Sequence, residues 1–361
     1  MKICIVELIR EGGMLHYASQ MSNSLSKQAN TTVYVVVPKG ADVGLFNDQV
    51  QVRTVPTIGR HPFRIDVLLR QILDINPDVI HITIRHPLTL PLLPVFRALK
   101  IPVVLTVHDV ECHVGERSLI AEISTWFSTK LSNAIFIHDE KSKTKLISRG
   151  VPEAKLHTIP HGDYSFFTNY KTNVEESENN TVLFFGRILK YKGLEYLIKA
   201  EPNISKTIPG FKIIIAGEGD FSEYENMIVN RDRYEIINEY IPDTLVPDLF
   251  TRAMVVVLPY IEASQTGIVP IAYAFKRPVI VTDVGALSEV VENGVTGLIV
   301  PPRDIDALSK SVIYLLDDAL LAKRMGMAGY NKMCREMSWD SISKRLLMAY
   351  AKAIQDTTSL R

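Results

Sequence analysis

Cysteine is scarce: Cys4, Cys112 and Cys334 are the only three in 361 residues, and they stand far apart. That spacing fits neither a disulfide framework nor a zinc site, and it suits a reducing compartment. Long apolar runs are missing as well. No stretch of about 18 apolar residues occurs, so no transmembrane helix is expected. The opening Met1–Ile9 carries Lys2 and Glu7 and has neither the length nor the cleavage site of a signal peptide. A cytoplasmic protein is the expectation. An excess of either charge is absent too, since 40 basic residues balance 40 acidic ones, which removes the bulk argument for nucleic acid. Lys and Arg exceed Asp and Glu by three in residues 1–170 and fall short by three in the remainder. No aspartate-rich metal motif is present, and neither metal nor cofactor is expected.

What is present is alternation. Apolar runs of strand length fall at Lys2–Leu8, Thr32–Val37, Val79–Ile84, Pro102–Val107 and Ala134–His138, with helical patterns between them. The pattern restarts with runs at Thr181–Phe185, Phe211–Ala216, Tyr234–Asn238, Val255–Pro259, Pro278–Thr282 and Leu298–Val300. Strands alternating with helices predict parallel sheets, and this length predicts two domains. The fold class is therefore α/β: two tandem Rossmann-like domains whose parallel sheets face a cleft. Residues 1–165 form the first domain, 166–180 (polar, acidic and without periodicity) the linker, and 181–338 the second. Residues 339–361 form a last helix suited to packing back on the first domain.

The richest stretch runs from Val255 to Gly285. A buried-strand pattern ends at Pro259, and small polar residues follow: Glu262, Ser264, Gln265, Thr266 and Gly267. An apolar helix then begins at Ile268, whose free backbone donors suit phosphate. A second site is Gly186 and Arg187 with Lys190, Lys192 and Gly193, directly after a strand and before a helix. A guanidinium and an ammonium there can cradle a diphosphate, each charge-assisted contact worth about 1.5–3 kcal/mol. The plain reading of the same residues is a solvated basic loop. The third site is Thr106, Val107, His108 and Asp109 at another strand end, where a histidine can hydrogen-bond a sugar hydroxyl but is more often structural. His81, His86 and His138 read as structural, and His161 before Gly162 as a turn. Gly12 and Gly13 join the first strand to the first helix. They fall short of a dinucleotide fingerprint and suit a loop lining the cleft.

The order of these motifs, together with Ala216 to Gly219, Asn293-Gly294 and Ser338-Trp339-Asp340, resembles glycosyltransferase family 4, retaining enzymes of the two-domain GT-B architecture. The resemblance covers nearly the whole chain. It implies that Arg187 and Lys192, beside Gly186, hold the diphosphate of a nucleotide-sugar and that Tyr240 and Ile241 contact the base. It further implies that Glu262 and His108 approach the donor sugar and that Gly12 and Gly13 lie under the diphosphate and acceptor. His108, Glu262, Arg187 and Lys192 are the catalytic set so implied. The family's second glutamate is replaced by Ile271, or by Pro270 if counted from Glu262 without a gap, and Ser264 to Gly267 replaces the usual glycine-aromatic-glycine.

The expected reaction is transfer of a sugar from a nucleoside-diphosphate sugar to a hydroxyl of a glycan or lipid-linked acceptor, with no required metal. The absent second glutamate leaves open a non-catalytic nucleotide-sugar or glycan-binding module, and an epimerase on the same fold is a further alternative. Lys141, Lys143, Lys145 and Arg149 suit peripheral contact with an anionic membrane and equally an ordinary solvated helix face.

Overall fold

The computed structural model describes residues 1–56, 65–110, 119–172, 174, 180–263 and 265–359, with the side chains of 119–122 left aside. The chain forms two compact units, one built from Met1–Gly162 with Ser338–Arg361 and the other from Asp163–Met337.

In the first unit β1 (Lys2–Val6), β2 (Thr32–Pro38), β3 (Val50–Val55), β4 (Val79–Ile82), β5 (Val103–Thr106), β6 (Ala134–Ile137) and β7 (Leu156–Thr158) form one sheet in the order β3-β2-β1-β4-β5-β6-β7. Every ladder is parallel. The runs are short and apolar because helices cover both faces; all four residues of β4, β5 and β6 are buried. Strand order reverses between β1 and β4, the point at which open α/β sheets place ligands beyond their carboxyl ends.

The strand β3 is absent from the sequence reading. It carries Gln51, Arg53 and Thr54 between the buried Val50 and Val55. An edge strand with one neighbour need not be apolar throughout, and so it gave no continuous run. The last helix, Trp339–Thr358, packs in this unit: Trp339, Ile342, Leu346 and Tyr350 join the core formed with Ile3, Ile5 and Leu15.

The second unit repeats the scheme with β8 (Thr181–Phe185), β9 (Lys212–Ala216), β10 (Tyr234–Ile237), β11 (Val255–Leu258), β12 (Val279–Thr282) and β13 (Gly297–Val300), all parallel in the order β10-β9-β8-β11-β12-β13. Its reversal lies between β8 and β11. The expected linker differs from what is seen. Ser165–Asn169 is a 3₁₀ turn, Phe167 is buried at 2% exposure, and the Phe166 and Phe167 rings stack with centroids 4.2 Å apart. Thr172 Oγ1 donates to Asp248 Oδ1 at 2.6 Å. Residues 166–172 are thus part of the second unit's packing, an anchorage that the polar composition of the stretch concealed. Residues 173 and 175–179 lie outside the described set.

Candidate functional site

In the second unit the candidate phosphate residues converge at the reversal point. Gly186 and Arg187 continue from β8, while Pro259 and Tyr260 continue from β11. A 3₁₀ turn, Lys190–Lys192, ends at Gly193 with φ +63°, and a Cβ there would lie 2.0 Å from the Pro259 carbonyl oxygen. Only glycine combines that left-handed backbone with that approach. Ile261 N donates to Tyr191 O at 2.8 Å and completes the fastening. The result fixes Lys192. Its side chain is buried, its Nζ stands 5.5 Å from the centre of the Tyr260 ring, and a Cβ on Gly186 would come within 2.8 Å of that Nζ.

No carboxylate pairs with Lys192 among the described residues, whereas Lys190 is drawn outward to Glu223 at 2.9 Å. Burial, reinforced by the neighbouring Arg187 guanidinium, pushes the Lys192 ammonium down to about 7. Arg187 itself is exposed.

The loop after β11 adds polar groups. Glu262 is half-buried, with its backbone N 3.4 Å from Tyr191 O. Gln265 holds a buried Nε2 with no hydrogen-bond partner among the described residues, a donor that calls for an acceptor. Thr266 Oγ1 accepts from Ile268 N at 3.2 Å, and Gly267 leaves room for the Tyr164 ring, which a Cβ would meet at 3.1 Å. Ser264 lies outside the described residues. Tyr240 is 46% exposed whereas Ile241 is buried in the core, so of that pair only Tyr240 presents a side chain to solvent. Ile271 and Pro270, the two positions matched to the missing glutamate, are both buried in the helix Ile268–Ala274.

In the first unit Gly12, at φ +79°, precedes the helix Gly13–Ser26, and the space around both glycines is open. At the β1/β4 reversal sits a group the sequence reading did not single out. Glu7 is fully buried, accepts from Thr83 Oγ1 at 2.7 Å and from Ile9 N at 2.6 Å, and is pushed up to about 7 by its burial. His81 is a core histidine, bridging the Tyr350 hydroxyl at 2.5 Å and Thr106 Oγ1 at 2.8 Å.

His108 is different. It follows β5, and His138 and His161 follow β6 and β7; the parallel order brings all three together. His138 Nε2 lies 3.1 Å from His108 Nδ1, and the Tyr17 ring meets all three edge-on. Burial holds His138 down at about 4 and His108 and His161 well below the usual histidine value, so the rings are neutral. Taken singly in the sequence, His138 and His161 gave no sign of this grouping, because it depends on strand order. Of the basic helix residues, Lys143 pairs with Glu153 at 2.9 Å and Arg149 Nη1 donates to Val110 O at 3.0 Å, so both are engaged within the protein.

Two family models match, one described as Glycosyltransferase Family 4 over residues 11–162 and one described as Glycosyl transferases group 1 over residues 179–318. Together the two models cover most of the chain, which is a glycosyltransferase of family 4 type with the GT-B fold. It is 28% identical over 278 residues to an uncharacterized glycosyltransferase of Methanocaldococcus jannaschii, covering 71% of this chain and 70% of that protein. Similarity to glycogen synthase of Mycobacterium tuberculosis is 25% over 298 residues, covering 77% and 69%. Among solved structures, sucrose-phosphate synthase from Thermosynechococcus elongatus superposes with TM-score 0.79 at 19% identity, covering 98% of this chain and 99% of that one. Anabaena HepE in complex with UDP gives 0.76 at 16% identity, covering 98% and 100%. No helix among the described residues is long and apolar enough to cross a membrane.

Proposed function

We propose that this glycosyltransferase moves a sugar, with retention, from a nucleoside-diphosphate sugar to a hydroxyl of a glycan or lipid-linked acceptor and that it needs no metal for the step. The observation that carries the reading is Lys192, a buried ammonium beside Arg187 with no carboxylate partner among the described residues, at the strand reversal of its unit. The two cations bind the diphosphate and stabilise the charge that grows on it as the bond to the sugar breaks. Gln265 supplies a further donor, and Glu262 and His108 are assigned to the sugar by their match to the family motifs. A structural neighbour that binds UDP supports a nucleotide ligand.

The test is a calorimetric titration of the chain with UDP, GDP, ADP and TDP in EDTA, repeated on the Arg187→Ala, Lys192→Ala double variant. One diphosphate is expected to bind selectively without metal. The double variant should bind it weakly and transfer at least about a hundredfold more slowly, roughly 2.7 kcal/mol of transition-state stabilisation. Equal binding and transfer by the double variant moves the phosphate site elsewhere. Binding only when magnesium or manganese is restored removes the metal-free step.

A further inference from the structure

The three histidines of the first unit have the spacing of a ligand set. Their ring centroids are 4.8 Å apart for His108 and His138, 5.0 Å for His138 and His161 and 5.6 Å for His108 and His161. One nitrogen from each lies within 4.8 Å of the others. A tetrahedral ion bound by three imidazoles at about 2.0–2.1 Å would set the nitrogens about 3.4 Å apart and the ring centroids about 5 Å apart. The observed rings fall around those values.

Proton bookkeeping on His138 and His108 points the same way. His138 Nδ1 stands 3.2 Å from the Ile159 carbonyl, which can only accept, so Nδ1 carries the proton and Nε2 a lone pair. That lone pair faces His108 Nδ1 at 3.1 Å. With nothing between them, His108 Nδ1 must be protonated in order to donate. His108 Nε2 is then a bare acceptor, buried without a hydrogen-bond partner among the described residues and facing the Thr83 backbone, which a protonated Nε2 would bond. A cation held by His108 Nδ1 and His138 Nε2 removes the conflict. Both nitrogens become lone-pair ligands, and His108 Nε2–H becomes a donor on the Thr83 side. The Ile159 bond to His138 is the outer contact that orients a metal-ligating histidine.

We propose that His108, His138 and His161 bind one borderline divalent ion of the zinc type, with its fourth position open. Neutral imidazoles suit zinc, cobalt and nickel and do not suit magnesium or calcium, which require oxygen ligands. Asp139 and Asp109 lie close enough to act on the charge at His138 and would offset that of the ion. The Tyr17 ring, itself backed by Trp339 at 5.2 Å between centroids, walls one side and holds the histidines in place. The site belongs to the first unit and does not depend on the diphosphate reading of the second; with both nitrogens of His108 so engaged, an ion here takes the place of the direct His108 contact with the sugar assigned above.

The test uses the intact chain, stripped with EDTA and dialysed, titrated with Zn²⁺ by calorimetry and with Co²⁺ by visible absorption. The expected result is one ion per chain with micromolar or tighter affinity and the visible bands of nitrogen-ligated tetrahedral cobalt. His138→Asn and His161→Asn should each weaken Zn²⁺ binding at least about a hundredfold, the upper end of what even the loss of an outer contact costs a metal site. Binding that survives either substitution, or no saturable binding below about 100 μM, which is roughly 5.5 kcal/mol, overturns the proposal. Should a substitution prevent folding, the cobalt spectrum of the unaltered chain decides. Absent bands, or a thiolate charge-transfer band, would reject a three-histidine site.

Discussion

Lys192 shows how much a single position can carry. A lysine after a strand and before a helix is legible as a phosphate residue, but its protonation depends on depth, which the sequence does not display. Without an anion its ammonium is held down at about 7. A bound diphosphate restores the missing countercharge and raises that value, so the protonated form binds preferentially. The sign follows: affinity is at its fullest when Lys192 is protonated beforehand, and it falls as pH rises above 7. Between pH 7 and pH 8.5 nucleoside-diphosphate affinity should weaken about tenfold, with net proton uptake on binding. Calorimetry in buffers of different ionisation enthalpy measures both. Lys192→Met should remove the slope; a slope unchanged in that variant assigns the titration to another group.

At the scale of elements, the sequence is read well wherever burial on both faces forces an apolar run, and poorly at edges. The strands β4, β5, β11 and β12 stood out as short runs of Val, Ile and Leu. The strand β3 did not, because its one exposed side tolerates Gln51 and Arg53. The stretch from 166 onward misled in the opposite way: its polar majority hid Phe167, which is buried in the second unit. The histidine group was illegible for a third reason. Each histidine follows a different strand, and only the order β5-β6-β7 makes neighbours of residues that stand 23, 30 and 53 positions apart in sequence.

The last helix gives an element-scale prediction. Its Tyr350 is fully buried, and its hydroxyl meets His81 Nδ1 on β4. Tyr350→Phe keeps the ring and strands that nitrogen in the core. The expected cost is about 1–3 kcal/mol in denaturant unfolding of the first unit. A change below about 0.5 kcal/mol, the usual size of a neutral surface substitution, would mean that the bond contributes nothing.

For the whole molecule the decisive fact is how the chain is divided. The second unit is one continuous segment, and both of its core clusters draw only on residues within it. The first unit is not continuous; its core needs Trp339, Ile342, Leu346 and Tyr350 from beyond the second. Fully burying a large apolar side chain contributes about 1.5–3 kcal/mol. The loss of four of them therefore approaches the 5–15 kcal/mol that holds a typical domain together. Two fragments should accordingly behave differently. Residues 163–337 should unfold cooperatively and keep whatever nucleoside-diphosphate affinity Lys192 and Arg187 confer, because both residues and their fastening to Pro259 lie inside that segment. Residues 1–162 should lack a cooperative transition until a peptide of residues 338–361 is added in trans. Circular dichroism melts of the fragments, with and without the peptide, measure this. A first fragment that melts cooperatively alone would show that the last helix covers a core already complete without it.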